Sequence, residues 1–165
     1  MNRRECIVAG LGAAISAISH AQVAVDRTAI DWPTLHLLDG QTQASAPWQG
    51  QGAIVVFWAT DCAYCKRHNA HVDKLYRASR GLPLRVLGVA LDGDAQAVRR
   101  YMAAADYRFP VAVGGAGLRA QLTPRRVIPM TCLIDRRGRL LQAIPGEMFE
   151  DDVLALVQAV TRIPG

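Results

Sequence analysis

The stretch Ala53-Ile54-Val55-Val56-Phe57-Trp58-Ala59-Thr60-Asp61-Cys62-Ala63-Tyr64-Cys65 decides the fold. Its first six residues form a continuous apolar run rich in β-branched and aromatic side chains. Such a run suits a central strand buried on both faces. The pattern then changes period. From Cys62 to Arg80 the residues Cys65, Val72, Leu75, Tyr76 and Ser79 keep helical spacing, which predicts a helix over 62–80. Asp61 is placed to cap it, and Gly81 with Pro83 ends it. A buried strand thus runs into a helix whose first turn carries two cysteines.

Working outward, the same signals recur. Leu35-His36-Leu37-Leu38 followed by Asp39-Gly40 reads as a short strand and a tight turn, and residues 41–52 as a loop or weak edge strand. C-terminal to the cysteines, strands are expected over 84–91, 109–113, 131–134 and 139–144. Helices are expected over 95–106, 117–122 and 147–162, and Asp135-Arg136-Arg137-Gly138 forms a hairpin turn. The order is β-α-β-α-β, then β-β-α. This predicts an α/β fold with a mixed central sheet flanked by helices and an N-terminal strand or hairpin extension.

The chain has 165 residues, which suits one domain, and carries a formal charge of +5. Its basic residues are scattered in isolated pairs (Arg99-Arg100, Arg125-Arg126, Arg136-Arg137), with no basic stripe interleaved with aromatics. Nucleic acid is therefore not the expected partner. The N-terminus reads as a targeting segment. Asn2-Arg3-Arg4 is basic, Cys6 to Ile18 is apolar, and Ser19-His20-Ala21 ends in small residues. Residues 1–21 are expected to be a signal peptide, with an uncleaved anchor as the alternative, and residues 22–165 the folded domain. The apolar run is short against the ~20 residues that span a bilayer. The resulting location is periplasmic.

Of four cysteines, Cys6 lies in the signal, Cys62 and Cys65 form one close pair, and Cys132 is left over. That is no disulfide scaffold, so the pair points to redox work or metal. A helix N-terminus offers partial positive charge and free N–H groups to a thiolate, the reactive form of cysteine. Cys62, at the exposed start, is expected to attack a disulfide, and Cys65, one turn inward, to resolve the product. Lys66 and Arg67 add local positive charge, and Asp61 opposes it. A second signature, Ile128-Pro129-Met130-Thr131, precedes a strand. From the residues alone an ordinary loop proline and a cis proline are both open.

Val55 to Cys65 resembles the strand and CxxC helix start of thioredoxins. Val127-Ile128-Pro129-Met130-Thr131, with Leu133-Ile134-Asp135 and Gly138, resembles their cis-proline loop and hairpin. The signal segment and the added strand and helix between the motifs are similar to the TlpA-like, cytochrome c maturation-type thiol–disulfide oxidoreductases. This resemblance covers about residues 32–162. It implies a thioredoxin fold, a cis Pro129 against the Cys62–Cys65 pair, an Ile128 backbone that hydrogen-bonds substrate, and Trp58 packed beside the site as a substrate-binding residue.

Three positions depart from those families. Val56 stands where thioredoxins bury an aspartate, Asp61 where they carry a tryptophan, and His68 where many TlpA-like proteins place a glutamate. His68 shares the helical stripe of Cys65 and Val72, so it is expected to relay the Cys65 proton, against the plain reading of a packed histidine. His71 is expected to be exposed. Zinc on Cys62, Cys65, His68 and His71 fails because one helix cannot converge four ligands. Copper(I) on Cys62, Cys65 and His68 is a further alternative, and Cys132 is a buried apolar thiol. Peroxiredoxins need a threonine three residues before the cysteine, and Thr60 stands two before Cys62.

The expected function is an exported thiol–disulfide oxidoreductase, most simply a disulfide reductase, with an oxidase or isomerase and a copper-binding module as alternatives. The expected partners are proteins with disulfides or thiols and a membrane electron donor. The chain is expected to be a monomer, with no organic cofactor and no metal.

Overall fold

The computed structural model describes residues 29–43 and 50–162. The signal segment expected over 1–21 lies outside them. Two short strands, β1 (Leu35–His36) and β2 (Thr42–Gln43), pair as an antiparallel hairpin. The main sheet holds β3 (Gly52–Trp58), β4 (Leu84–Ala90), β5 (Val111–Val113), β6 (Met130–Ile134) and β7 (Leu140–Pro145) in the order β5-β4-β3-β6-β7. β3, β4 and β5 run parallel, and β6 and β7 run antiparallel to their neighbours. Helices α1 (Ala63–Ala78), α2 (Ala95–Ala104), α3 (Ala116–Leu122) and α4 (Glu150–Thr161) complete the order. This is the mixed α/β sheet with an N-terminal hairpin that the sequence pattern predicts, in the arrangement that the resemblance to thioredoxins implies.

β3 is central and entirely buried because each face of the sheet carries its own core. Ile54, Val56 and Trp58 point to the side of α1, α2 and α4, where they meet Cys65, Val72, Leu75, Val98 and Val153. Ala53, Val55 and Phe57 point to the other side, toward α3 and the N-terminal segment, where Trp32, Leu118 and Leu122 cover them. The N-terminal segment is tied at both ends, by a bridge from Ala29 to Arg139 and one from Leu37 to Ala112. It thereby closes the second face.

Gly88 in β4 marks the tightest packing beneath the site. A Cβ there would lie 2.7 Å from the Phe109 ring and 2.9 Å from Trp58 Nε1. Neither aromatic ring is the free end of a flexible chain. Gly88→Ala is expected to destabilise the protein by about 1–2 kcal/mol through overpacking. A lowered urea midpoint with unchanged slope is the expected readout, and an unchanged midpoint would refute the close packing.

Several element boundaries differ from expectation, three of them with a reason in the surrounding contacts. α1 is capped by Cys62 rather than Asp61: the Cys65 N–H donates to Cys62 Sγ at 3.1 Å. α4 begins at Glu150, not at 147, because Glu147 and Met148 are committed to α1 as described below. The acidic first turn of α4, Glu150-Asp151-Asp152, matches the positive end of its dipole. β5 shortens to three residues because Phe109 turns inward ahead of it.

Candidate active site

The site assembles where β3 hands over to α1. The parallel register pairs Trp58 with Ala90, so two residues further on Thr60 meets Asp92. The Thr60 N–H donates to both oxygens of the Asp92 carboxylate at 3.2 and 3.1 Å, and the Thr60 hydroxyl binds the same group. This brace holds the turn from which Cys62 emerges. By sequence Asp92, in Asp92-Gly93-Asp94, is only a turn residue ahead of a helix. The signal that finds it is the shared register of two adjacent parallel strands, which a single segment does not display.

Cys62 and Cys65 are joined by a disulfide, with their Cα atoms 5.2 Å apart. Cys62 is half-buried at the helix start, and Cys65 is fully buried. The Ile128–Pro129 peptide is cis, and the Ile128 carbonyl oxygen lies 3.9 Å from Cys62 Sγ. Pro129 is buried, and its carbonyl accepts from the Gly146 N–H at 2.8 Å. Among the described residues nothing accepts from the Ile128 N–H. Around this point Tyr64 is 61% exposed and Val127 50% exposed. With Ile128, Gly146 and Glu147 they line an open groove of about 440 Å³.

Trp58 departs from its expected place. It is fully buried on the α1 side of the sheet, its ring 5.0 Å from that of Tyr101. A side chain with no exposure meets no substrate, so Trp58 supports the site from beneath.

His68 departs as well. It is fully buried and makes two hydrogen bonds. The Met148 N–H donates to Nδ1 at 3.3 Å. A peptide N–H can only donate, so the neutral ring carries its proton on Nε2, which faces Thr131 Oγ1 at 3.1 Å. Burial, reinforced by neighbouring His71 and opposed by Glu147, pushes the His68 pKa down to about 4. The ring is therefore neutral near pH 7, with its accepting nitrogen occupied. It has no lone pair left for the Cys65 proton. Thr131 is opposite Val56 in the register, so the histidine–hydroxyl pair lies beside the position where thioredoxins bury an acid.

His71 is half-buried rather than exposed: its Nδ1 lies 3.2 Å from the Met148 carbonyl oxygen. Arg67 is not a free charge beside the cysteines. Its guanidinium binds Glu147 through two bonds of 2.8 and 2.6 Å and also lies over the Tyr64 ring. The pairing holds the Glu147 carboxyl below its usual range. These contacts latch the β7–α4 loop onto α1. With both His68 nitrogens in use, the copper(I) set of Cys62, Cys65 and His68 is not assembled. Cys132 lies on the opposite face of the sheet from Cys65, and burial pushes its thiol up to about 12. Burial therefore favours its protonated, unreactive form.

Known proteins resemble this chain in sequence and in fold. The chain is 25% identical over 157 residues to the thiol-disulfide oxidoreductase ResA of Geobacillus thermodenitrificans, covering 93% of this chain and 90% of that one. It superposes on the exposed lipoprotein thioredoxin of Streptococcus pneumoniae with a TM-score of 0.67 and 25% identity, covering 77% and 98% of the two chains. A thiol-disulfide isomerase of Corynebacterium glutamicum shares the fold with a TM-score of 0.71 at 16% identity, covering 84% and 99%. Residues 25–143 match the profile of the AhpC/TSA family. On a match that takes in both the Cys62–Cys65 helix start and the Ile128–Pro129 loop, this chain belongs to the AhpC/TSA family.

Proposed function

We propose that this thiol–disulfide oxidoreductase is exported and works as a reductase of disulfides in other proteins. The observation that carries the reading is the asymmetry of the pair. Cys62 is half-buried with its sulfur 3.9 Å from the Ile128 carbonyl oxygen, and Cys65 is sealed one turn deeper. In the reduced protein the Cys62 thiolate attacks one sulfur of a substrate disulfide. A mixed disulfide forms, and the substrate's other sulfur leaves as a thiolate and takes up a proton. Cys65 then gives up its proton and attacks Cys62 Sγ, releasing the second substrate thiol and leaving the Cys62–Cys65 disulfide. Two electrons have passed to the substrate. A dithiol donor at the membrane returns them.

Ile128 and Pro129 present the substrate backbone to Cys62, since the free Ile128 peptide can pair with an extended chain. His68 enters as a positioning residue that latches α1 to the β7–α4 loop. Thr60 is spent on Asp92, consistent with setting aside a peroxidase arrangement. The reductive direction is supported by the pairing of Arg67 with Glu147. It removes a cation that would have stabilised the reduced thiolate and made the disulfide more oxidising. Export is supported by the pattern of residues 1–21 and by the lipoprotein named among the similar structures. No helix among the described residues is long and apolar enough to cross a membrane.

The deciding measurement is the reduction potential of the Cys62–Cys65 couple in dithiothreitol or glutathione buffers. A value of about −270 mV is expected for a reductase. A value of about −120 mV would make the protein a disulfide donor and reverse the proposed direction.

A further inference from the structure

Ile128 lines one of two unlike surfaces that adjoin in the chain. On that surface the groove of Tyr64, Val127, Gly146 and Glu147 is largely apolar, and its one charge is neutralised by Arg67. On the other surface Arg119, Arg125 and Arg126, with Thr123 and Pro124, line a separate cavity of about 410 Å³ that contains no carboxylate. Among the described residues none of these three arginines forms an ion pair. Arg119 donates to the carbonyls of Arg125 and Val127 at 3.2 and 3.4 Å, which fixes the backbone that carries the other two guanidinium groups. Asp92, the carboxylate that follows β4, is committed to Thr60.

The two surfaces meet in the chain where Arg126 precedes Val127. Three residues span at most about 10 Å, so Arg125 and Arg126 lie within reach of substrate residues two or three places from the reacting cysteine. Several cations elsewhere are paired, Arg67 with Glu147, Lys74 with Glu150, Arg77 with Asp73 and Arg139 with Asp135, whereas Lys66, Arg80, Arg99, Arg136 and Arg137 form no ion pair among the described residues. Uncompensated charge at the edge of a binding groove attracts a complementary partner and raises its association rate.

We infer that the natural substrate presents an extended, disulfide-bearing segment with Asp or Glu side chains two or three residues from the cysteine, seated over Arg125 and Arg126. This rests on the reading of the protein as an oxidoreductase acting through Cys62 and deepens it by naming the substrate class.

The test uses the reduced full-length protein and three disulfide-linked peptides that differ only at the flanking positions: Asp-Asp, Ser-Ser or Lys-Lys on both sides of the cysteine. At low salt the Asp peptide is expected to be reduced about tenfold faster than the Lys peptide, in the range of electrostatic steering. The ratio should fall toward 1 in 0.5 M NaCl as the charges are screened. The double variant Arg125→Glu, Arg126→Glu should invert the preference, a gain that misfolding cannot imitate. Equal rates for the Asp and Lys peptides, with the Ser peptide reduced normally, overturn the inference and leave the oxidoreductase reading standing. A preference that survives the charge reversal overturns it by placing recognition elsewhere. Equal rates together with binding of the native protein, but not the reversed variant, to phosphatidylglycerol vesicles assign the arginines to a membrane surface and overturn it too. Reduction of none of the three peptides removes the oxidoreductase reading and this inference together.

Discussion

Cys62→Ser lowers the rate of disulfide reduction in insulin by roughly a thousandfold or more, because the hydroxyl that replaces the thiolate does not attack sulfur at neutral pH. Cys65→Ser has a different outcome. Attack at Cys62 proceeds, but no second thiol resolves the product, so the substrate stays attached through a mixed disulfide. On a non-reducing gel Cys65→Ser gives a shifted band that dithiothreitol removes, and Cys62→Ser gives none. The roles follow from burial. Cys62 is half-buried at the helix start with its sulfur beside Ile128, and Cys65 has no exposed surface through which a protein disulfide could reach it. An adduct that forms on Cys65 in the Cys62→Ser protein would reverse this assignment.

The second large effect is on stability against pH. His68 takes a proton in the folded protein only near pH 4, whereas in the unfolded chain it does so near 6.5. The depressed value means that the buried neutral ring contributes its full stabilisation above pH 6.5. That contribution is lost as the pH falls toward 4, since the unfolded state binds the proton first. The gap corresponds to about 3 kcal/mol, of which about 2 kcal/mol should be lost between pH 7.5 and 5. Urea titrations of the oxidised protein at those two values measure it. In His68→Gln most of the loss should vanish. The window stays above the range in which Glu147 and Glu150 titrate, both of which are lowered by their cationic partners. Equal pH dependence in the two proteins would show that the His68 ring is not held neutral.

Both effects begin at α1, and they differ in how far the sequence foretold them. The pair at its first turn is legible because strand-to-helix periodicity and the cysteine spacing are local signals. The roles of the side chains that follow are not. His68 sits on the buried stripe as its spacing implies, yet its partners come from Thr131 and Met148, 63 and 80 residues away. Arg67 reads as a free cation until Glu147 is brought to it across 80 residues. The same long-range contacts delay α4 to Glu150, since a residue latched to α1 cannot also open a helix. Trp58 illustrates a smaller miss. A tryptophan at the end of a strand beside an active site can face either side, and the pleat, set by register with β4, turns it inward onto Tyr101.

What the sequence by itself determined is the framework: the buried strand β3, the helix with Cys62 and Cys65 in its first turn, and the order of elements. These follow from hydrophobic period, turn residues and spacing, which act over a few residues. Only the tertiary structure decided that Cys62 caps its own helix, that Asp92 braces Thr60, that His68 is a neutral latch, and that Arg67 is neutralised while Arg125 and Arg126 are not. The physical reason is that hydrogen bonds, ion pairs and desolvation depend on which groups meet in space. Those meetings are settled by packing across the sheet rather than by neighbours along the chain.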